Sequence, residues 1–264
     1  MLLVLFLVMG ESVVRAFEPD SRLELLSDFI ELSIGPGEGK RPLAVLLPGC
    51  LGWHPHHELW RKRLLENGFG TLHVDTFKSR GIETRAQLQR EVCTGKSVHG
   101  DVRAGDLMVA LSSLEMHESI DTSRTIFFGW SHGAWSAFEF LIRRHSNLVP
   151  STLSRLPELD HLDVKGAFLF YPYCGPGSLD GRTGYPENVR TLVVHGQRDV
   201  ITSPASCRAR VNRLRQFGGD AEFLLLKDAR HWFDNHTEPS VYDRAATERV
   251  RGLIEKWLSK HFEM

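Results

Sequence analysis

Three polar side chains in this 264-residue chain have the types needed for acyl transfer by a serine. Ser131 lies in Gly129-Trp130-Ser131-His132-Gly133, Asp199 in Gly196-Gln197-Arg198-Asp199, and His231 in Asp228-Ala229-Arg230-His231. A serine hydroxyl is a weak nucleophile at neutral pH, so it needs a base, and the base needs an acid that fixes its tautomer. The residue types assign Ser131 as nucleophile, His231 as general base and then acid, and Asp199 as the orienting carboxylate. His236 competes as base but lies further from its strand, and Asp228 competes as acid but is expected to bond locally within its loop. His195 reads as a strand-end residue packed under the acid loop.

An oxyanion formed at the acyl carbon needs backbone N–H donors. The N–H of His132, directly after the serine, is one. The run Pro48-Gly49-Cys50-Leu51-Gly52 is similar to a His-Gly-x-x-Gly oxyanion loop, with Pro48 in place of the histidine. That match directs the N–H of Cys50 at the oxyanion, with Leu51 as second choice. Read alone, Gly49 and Gly52 could equally mark a tight turn, and Gly129 and Gly133 a turn that merely contains a serine.

The elements that must hold these residues are legible as well. Arg124–Phe128 is short, β-branched and aromatic, and predicts a buried strand, while Ala134–Arg144 has helical periodicity without Gly or Pro. The serine therefore falls at a sharp strand-to-helix turn. Strands are also expected at Phe29–Ile34, Pro42–Leu47, Thr71–Asp75, Val164–Tyr171, Thr191–His195 and Ala221–Leu226. Helices are expected at His57–Asn67, Asp101–Glu115, Pro204–Phe217 and Tyr242–His261. Each candidate site residue then follows a strand's carboxyl end. Alternating strands and helices predict an α/β fold, a doubly wound, mostly parallel sheet in one domain. The connection from Thr76 to Gly100 is long enough to be a partly helical flap or a lid.

The strand–turn–helix around Gly-x-Ser-x-Gly resembles the nucleophile elbow of the α/β-hydrolases, whose order Ser, Asp, His is followed here. Over roughly Pro42 to Phe262 the chain resembles the dienelactone hydrolase family. The resemblance rests on L-L-P-G-C-L-G (46–52), G-T-L-H-V-D (70–75), F-K-S-R-G (77–81), G-W-S-H-G-A-W (129–135), H-G-Q-R-D-V-I-T-S-P (195–204) and D-A-R-H-W-F (228–233). It implies the α/β-hydrolase fold and carboxyl-ester chemistry. The namesake enzymes carry cysteine at the elbow, so serine at position 131 argues against dienelactone itself as substrate.

Other features narrow the function. The net charge is −1 with no concentration of Lys or Arg, which argues against nucleic acid or an anionic membrane as partner. Arg80 and Arg230 fall in loops near the expected site, where either could pair with a substrate carboxylate or form a structural ion pair. Trp130, Trp135 and Trp232 read as core residues first and pocket walls second. His54, His56 and His57 are too tightly spaced, around Pro55, for a metal site on one helical face. His57 is instead expected to cap the helix that follows, and His54 or His56 to border the pocket. No metal or cofactor is required.

Leu2–Met9 is apolar and Val14-Arg15-Ala16 offers a cleavage point, resembling a signal peptide over 1–16, with 17–264 as the mature domain. A buried first strand is the alternative, and the run is too short to span a membrane. Four cysteines allow three pairings. With the strand order that the resemblance implies, Cys174 and Cys207 meet at the sheet's carboxyl edge, and Cys50 can reach Cys93. Such bridges imply an oxidising compartment, periplasmic or extracellular; a cytoplasmic chain would keep them as buried thiols. The expected activity is hydrolysis of a small ester or lactone. A non-catalytic binding protein and an acyltransferase on the same scaffold are the alternatives.

Overall fold

The computed structural model describes residues 16–262; the expected leader lies outside the described residues except for Ala16. Among the described residues seven strands form one sheet in the order β1-β3-β2-β4-β5-β6-β7. They are β1 (Ile30–Ile34), β2 (Arg41–Leu47), β3 (Gly70–Val74), β4 (Ile120–Trp130), β5 (Val164–Phe170), β6 (Arg190–Gly196) and β7 (Ala221–Leu226). All pairings are parallel except that of the edge strand β1 with β3. The expected mostly parallel α/β sheet is therefore present, and every expected strand lies within a few residues of its place.

The apolar runs have a direct cause in the two-sided burial of the sheet. Along β2, Leu43, Val45 and Leu47 enter the core on one face, and Ala44 and Leu46 enter it on the other. The first face is covered by α1 (Pro19–Leu26), α4 (Gly100–Ser112), α5 (His132–His145) and α6 (Pro204–Gln216). The second is covered by α2 (Pro55–Glu66) and α7 (Arg244–His261). Helix α7 shows why such helices form: Ala246, Val250, Ile254 and Leu258 recur every fourth residue and are all buried. Asp243 caps it by accepting from the Ala246 N–H at 2.9 Å.

Helix α1 was not expected from the sequence. Its apolar periodicity is weak, and it is held from outside: Arg22 forms a buried ion pair with Asp106 of α4 at 2.7 Å. The Thr76–Gly100 connection is partly helical, with a short turn α3 (Arg85–Gln87) continuing into a π-helical turn at Leu88–Cys93. Among the described residues no helix is long and apolar enough to cross a membrane.

Candidate active site

The turn between β4 and α5 is held open by what its glycines lack. A Cβ at Gly133 would sit 1.9 Å from the Leu47 carbonyl oxygen, and one at Gly129 would sit 2.6 Å from Ala134 Cα. Both approaches are impossible for any side chain, so the chain can turn this sharply only with glycine. Ser131 itself has φ 53° and ψ −114°, a costly conformation for a residue with a side chain. Its N–H donates to the Phe170 carbonyl at 2.9 Å, tying the strained residue to β5.

His231 follows β7 and Asp199 follows β6, and both reach Ser131. His231 Nε2 lies 3.1 Å from Ser131 Oγ, and His231 Nδ1 lies 2.7 Å from Asp199 Oδ2. The Asp199 carboxylate is otherwise fully engaged. Its Oδ1 accepts from the N–H groups of Ile201 at 2.8 Å and Thr202 at 3.0 Å, and Oδ2 accepts from the Thr202 hydroxyl at 3.0 Å. Burial opposes ionisation of Asp199, but the hydrogen bond and charge of His231, with these N–H donors, outweigh it and lower its pKa. His195 is buried beneath, with Nδ1 3.6 Å from Asp199 Oδ2. The competing acid Asp228 pairs instead with Arg198 at the surface, 2.8 Å away.

The loop after β2 lies against the turn: a Cβ at Gly49 would be 3.5 Å from Ser131 Cβ. Gly52, at φ 79°, closes a turn by donating to the Gly49 carbonyl at 3.1 Å. Among the described residues the N–H groups of Cys50 and His132 have no carbonyl partner. A residue the sequence reading missed holds these two segments in register. Arg103 of α4 is buried, donates to the Pro48 carbonyl at 2.8 Å, and lies 3.3 Å from His132 Nδ1. His132 Nε2 faces the Val98 carbonyl at 2.9 Å and must carry the proton there, leaving Nδ1 to accept from Arg103. Burial brings the Arg103 pKa down to about 10, so it stays charged at neutral pH.

Two expected substrate-binding residues are placed elsewhere. Arg80 is committed to Asp106, at 2.6 and 3.2 Å, in a bidentate pair shared with Arg22, and it does not line the cleft. Its bidentate fork is spent on this buried carboxylate. Trp130 is wholly buried, with its indole Nε1 donating to Asp234 Oδ2 at 2.8 Å. Trp232 and Arg230 do line the cleft, and Trp135 lines a neighbouring recess. The cap residue of α2 is His54 and not the expected His57, which lies in the first turn and accepts from the His54 N–H through Nδ1 at 2.9 Å. His54 packs against Trp232 with ring centroids 5.0 Å apart.

Asp234 is the second group the sequence reading missed, because a loop aspartate has no periodic or motif signal. It accepts from Trp130, the residue before Ser131, and from the Tyr171 hydroxyl at 2.7 Å. The Tyr171 ring lies 4.4 Å from that of His231, and Tyr171 holds φ 39°. One carboxylate thus links the serine turn, the end of β5 and the histidine loop. Asp234→Ala would orphan two buried donors, each worth about 1–3 kcal/mol. We expect a large drop in melting temperature and, through displacement of His231, a loss of ester turnover of up to about 100-fold. A variant with wild-type stability and turnover would show that Asp234 holds nothing.

Both expected disulfides are present. Cys50–Cys93 joins the loop after β2 to the π-helical turn, and Cys174–Cys207 joins the segment after β5 to α6. Replacing Cys174 and Cys207 by serine should lower unfolding stability by about 2–4 kcal/mol. Denaturant unfolding with and without a reductant would measure it, and unchanged midpoints would refute it.

A cleft of about 860 Å³ opens over Ser131 and His231. A groove of about 730 Å³ at the amino ends of β5 and β6, bordered by Arg144 and Glu158, contains none of the site residues.

A strained serine on the strand-to-helix turn of a doubly wound parallel sheet defines an α/β-hydrolase. The model of the dienelactone hydrolase family matches residues 31–262, and the chain belongs to that family of carboxylic ester hydrolases. A comparison with curated proteins finds no match. Among solved structures, a Klebsiella pneumoniae protein assigned as a dienelactone hydrolase superposes with a TM-score of 0.64 at 16% identity, covering 87% of this chain and 98% of its own. A dienelactone hydrolase-like promiscuous phosphotriesterase from metagenomic libraries gives 0.63 at 20% identity, covering 88% and 98%. Esterase 2 of Thermogutta terrifontis, in its apo form, gives 0.62 at 17% identity, covering 88% and 90%. At these identities the structural likeness speaks to the fold alone.

Proposed function

We propose that this chain hydrolyses a small carboxyl ester or lactone through an acyl-enzyme formed on Ser131. The observation that carries the reading is the continuous relay in which His231 faces Ser131 Oγ through Nε2 and Asp199 through Nδ1. His231 takes the proton as Oγ attacks the acyl carbon, and Asp199 stabilises the imidazolium that forms. The N–H groups of Cys50 and His132 hold the oxyanion; losing one such donor typically costs about 3 kcal/mol of transition-state stabilisation. His231 then protonates the departing oxygen, and a water that it deprotonates releases the acyl group. No step calls for a cofactor. Trp232 and Arg230 border the substrate.

The open cleft favours hydrolysis over acyl transfer to a second substrate, since transfer requires that water be kept out. The leader at 1–16 and the two disulfides support export to a periplasmic or extracellular compartment. A mature protein beginning at Phe17 would bear this out, and an intact first residue on secreted material would refute cleavage there.

A fluorophosphonate probe tests the nucleophile. Wild type should be modified at Ser131, and Ser131→Ala should remain unmodified with ester hydrolysis at background. A folded wild type that resists the probe would instead support a non-catalytic binding protein.

A further inference from the structure

Two recesses meet at Ser131, and the Cys50–Cys93 disulfide and Ile201 border both. The larger, about 860 Å³, contains His231, and its walls include Leu51, Val200, Trp232 and Val241. The smaller, about 360 Å³, contains His132 and is closed by Trp135, Tyr173 and His99. The Trp135 and Tyr173 rings pack at a tilt of 54° with centroids 5.0 Å apart, and the Trp135 indole is fixed by donating to Glu139 at 3.0 Å. Ligand sites typically span about 300–1,000 Å³, so the two recesses lie near opposite ends of that range.

The chemistry tells them apart. In the first half-reaction the Oγ–carbon bond forms and the Ser131 proton passes to His231 Nε2. The carbon–oxygen bond to the alcohol then breaks, and the same proton goes to the departing oxygen. That oxygen must therefore lie within about 2.6–3.2 Å of Nε2, and whatever it carries begins beside His231. The oxyanion faces the N–H groups of Cys50 and His132. The remaining substituent, the acyl chain, is left with the space on the His132 side.

Resting on the hydrolase reading above, we propose that the alcohol part of the substrate occupies the larger apolar recess and the acyl part the smaller, aromatic-walled one. The preferred substrates are esters of a short acid with a bulky apolar alcohol. Val200 and Ile201, exposed at 92% and 70%, have a use in this arrangement: they extend the apolar wall on which such an alcohol rests.

Hexyl acetate and ethyl hexanoate are isomers that exchange the long chain between the two sides while both release a simple primary alcohol. We expect kcat/KM for hexyl acetate to exceed that for ethyl hexanoate by about tenfold or more, because the methylenes of the longer chain are buried in the larger recess only when they lie on the alcohol side. Val241→Phe, which fills the larger recess only, should reduce that ratio. Equal rates, or a preference for ethyl hexanoate, would overturn the division while leaving the hydrolase reading intact. Cleavage of neither isomer by protein that the fluorophosphonate labels at Ser131 would also overturn it. Absence of both cleavage and labelling would defeat the hydrolase reading as well.

Discussion

Asp199→Asn is expected to lower kcat for ester hydrolysis by about 10⁴ while leaving the fold intact. The reason lies in how the carboxylate is used. Its Oδ1 accepts from two backbone N–H groups, of Ile201 and Thr202, and only an oxygen can stay there. An asparagine must then turn its NH₂ toward His231 and the Thr202 hydroxyl. His231 Nδ1, facing a donor, becomes an acceptor, and the imidazole proton moves to Nε2. A protonated Nε2 cannot take the proton of Ser131 Oγ, 3.1 Å away. The defect is in tautomer and not in position, so raising the pH should not rescue it. Steady-state rates at neutral and alkaline pH, with thermal melting as the control for folding, would test this. A loss of less than about tenfold would mean that Asp199 does not set the tautomer of His231.

The largest expected effect on stability is acid lability above the carboxylate range. His57, His73 and His132 are all buried, and burial is the first cause of their lowered pKa values. His57 falls well below its ordinary value, His73 goes to about 4 and His132 to about 3. In the unfolded chain each titrates near 6.5. Above that pH both states are neutral at these residues, and they exert no pull on the equilibrium. As the pH falls below about 6.5 the unfolded chain binds protons that the folded chain refuses, so stability drops continuously toward the folded pKa values. At pH 5 His73 and His132 each remove about 2 kcal/mol, together about 4 kcal/mol, with His57 acting in the same direction, against a typical total of about 5–15 kcal/mol. Asp199 acts lower: its depressed pKa contributes stability that is lost only as the pH falls through that folded value, below the histidine window. A fall in melting temperature of about 10–20 °C between pH 7 and 5 is expected. A flat profile over that range would show that these histidines accept protons in the folded state.

The parts of the site legible in the sequence are those built from local pattern. Ser131, Asp199 and His231 each follow an apolar run, and such runs are unambiguous when both faces of a sheet are covered. The cysteine partners followed from the strand order that the family resemblance implies. What escaped depends on long-range burial. Arg80 and Arg22 converge on Asp106, and Arg103 reaches Pro48 and His132, through contacts no spacing announces. For Arg80 the sequence left a substrate carboxylate and a structural ion pair open, because its partner Asp106 lies in a distant helix. Trp130 read as a core residue first and a pocket wall second, and the first reading holds, its side chain alternating away from the cleft into the core. Helix α1 escaped because its core contacts, Leu23 and Leu26, are too few to form an apolar stripe, and its ion pair with Asp106 has no sequence signal.

The strand order carries a consequence for how the protein is made. From β4 onward each new strand is added at the outer edge of the sheet, in the order of synthesis. The first four strands, with the serine turn, can therefore pack before β6 and β7 have left the ribosome, as N-terminal units commonly do. Asp199 and His231 arrive with those last strands. The nascent chain thus builds its serine turn early and joins it to His231 and Asp199 last, and a chain truncated before β6 would carry a formed serine turn without either partner.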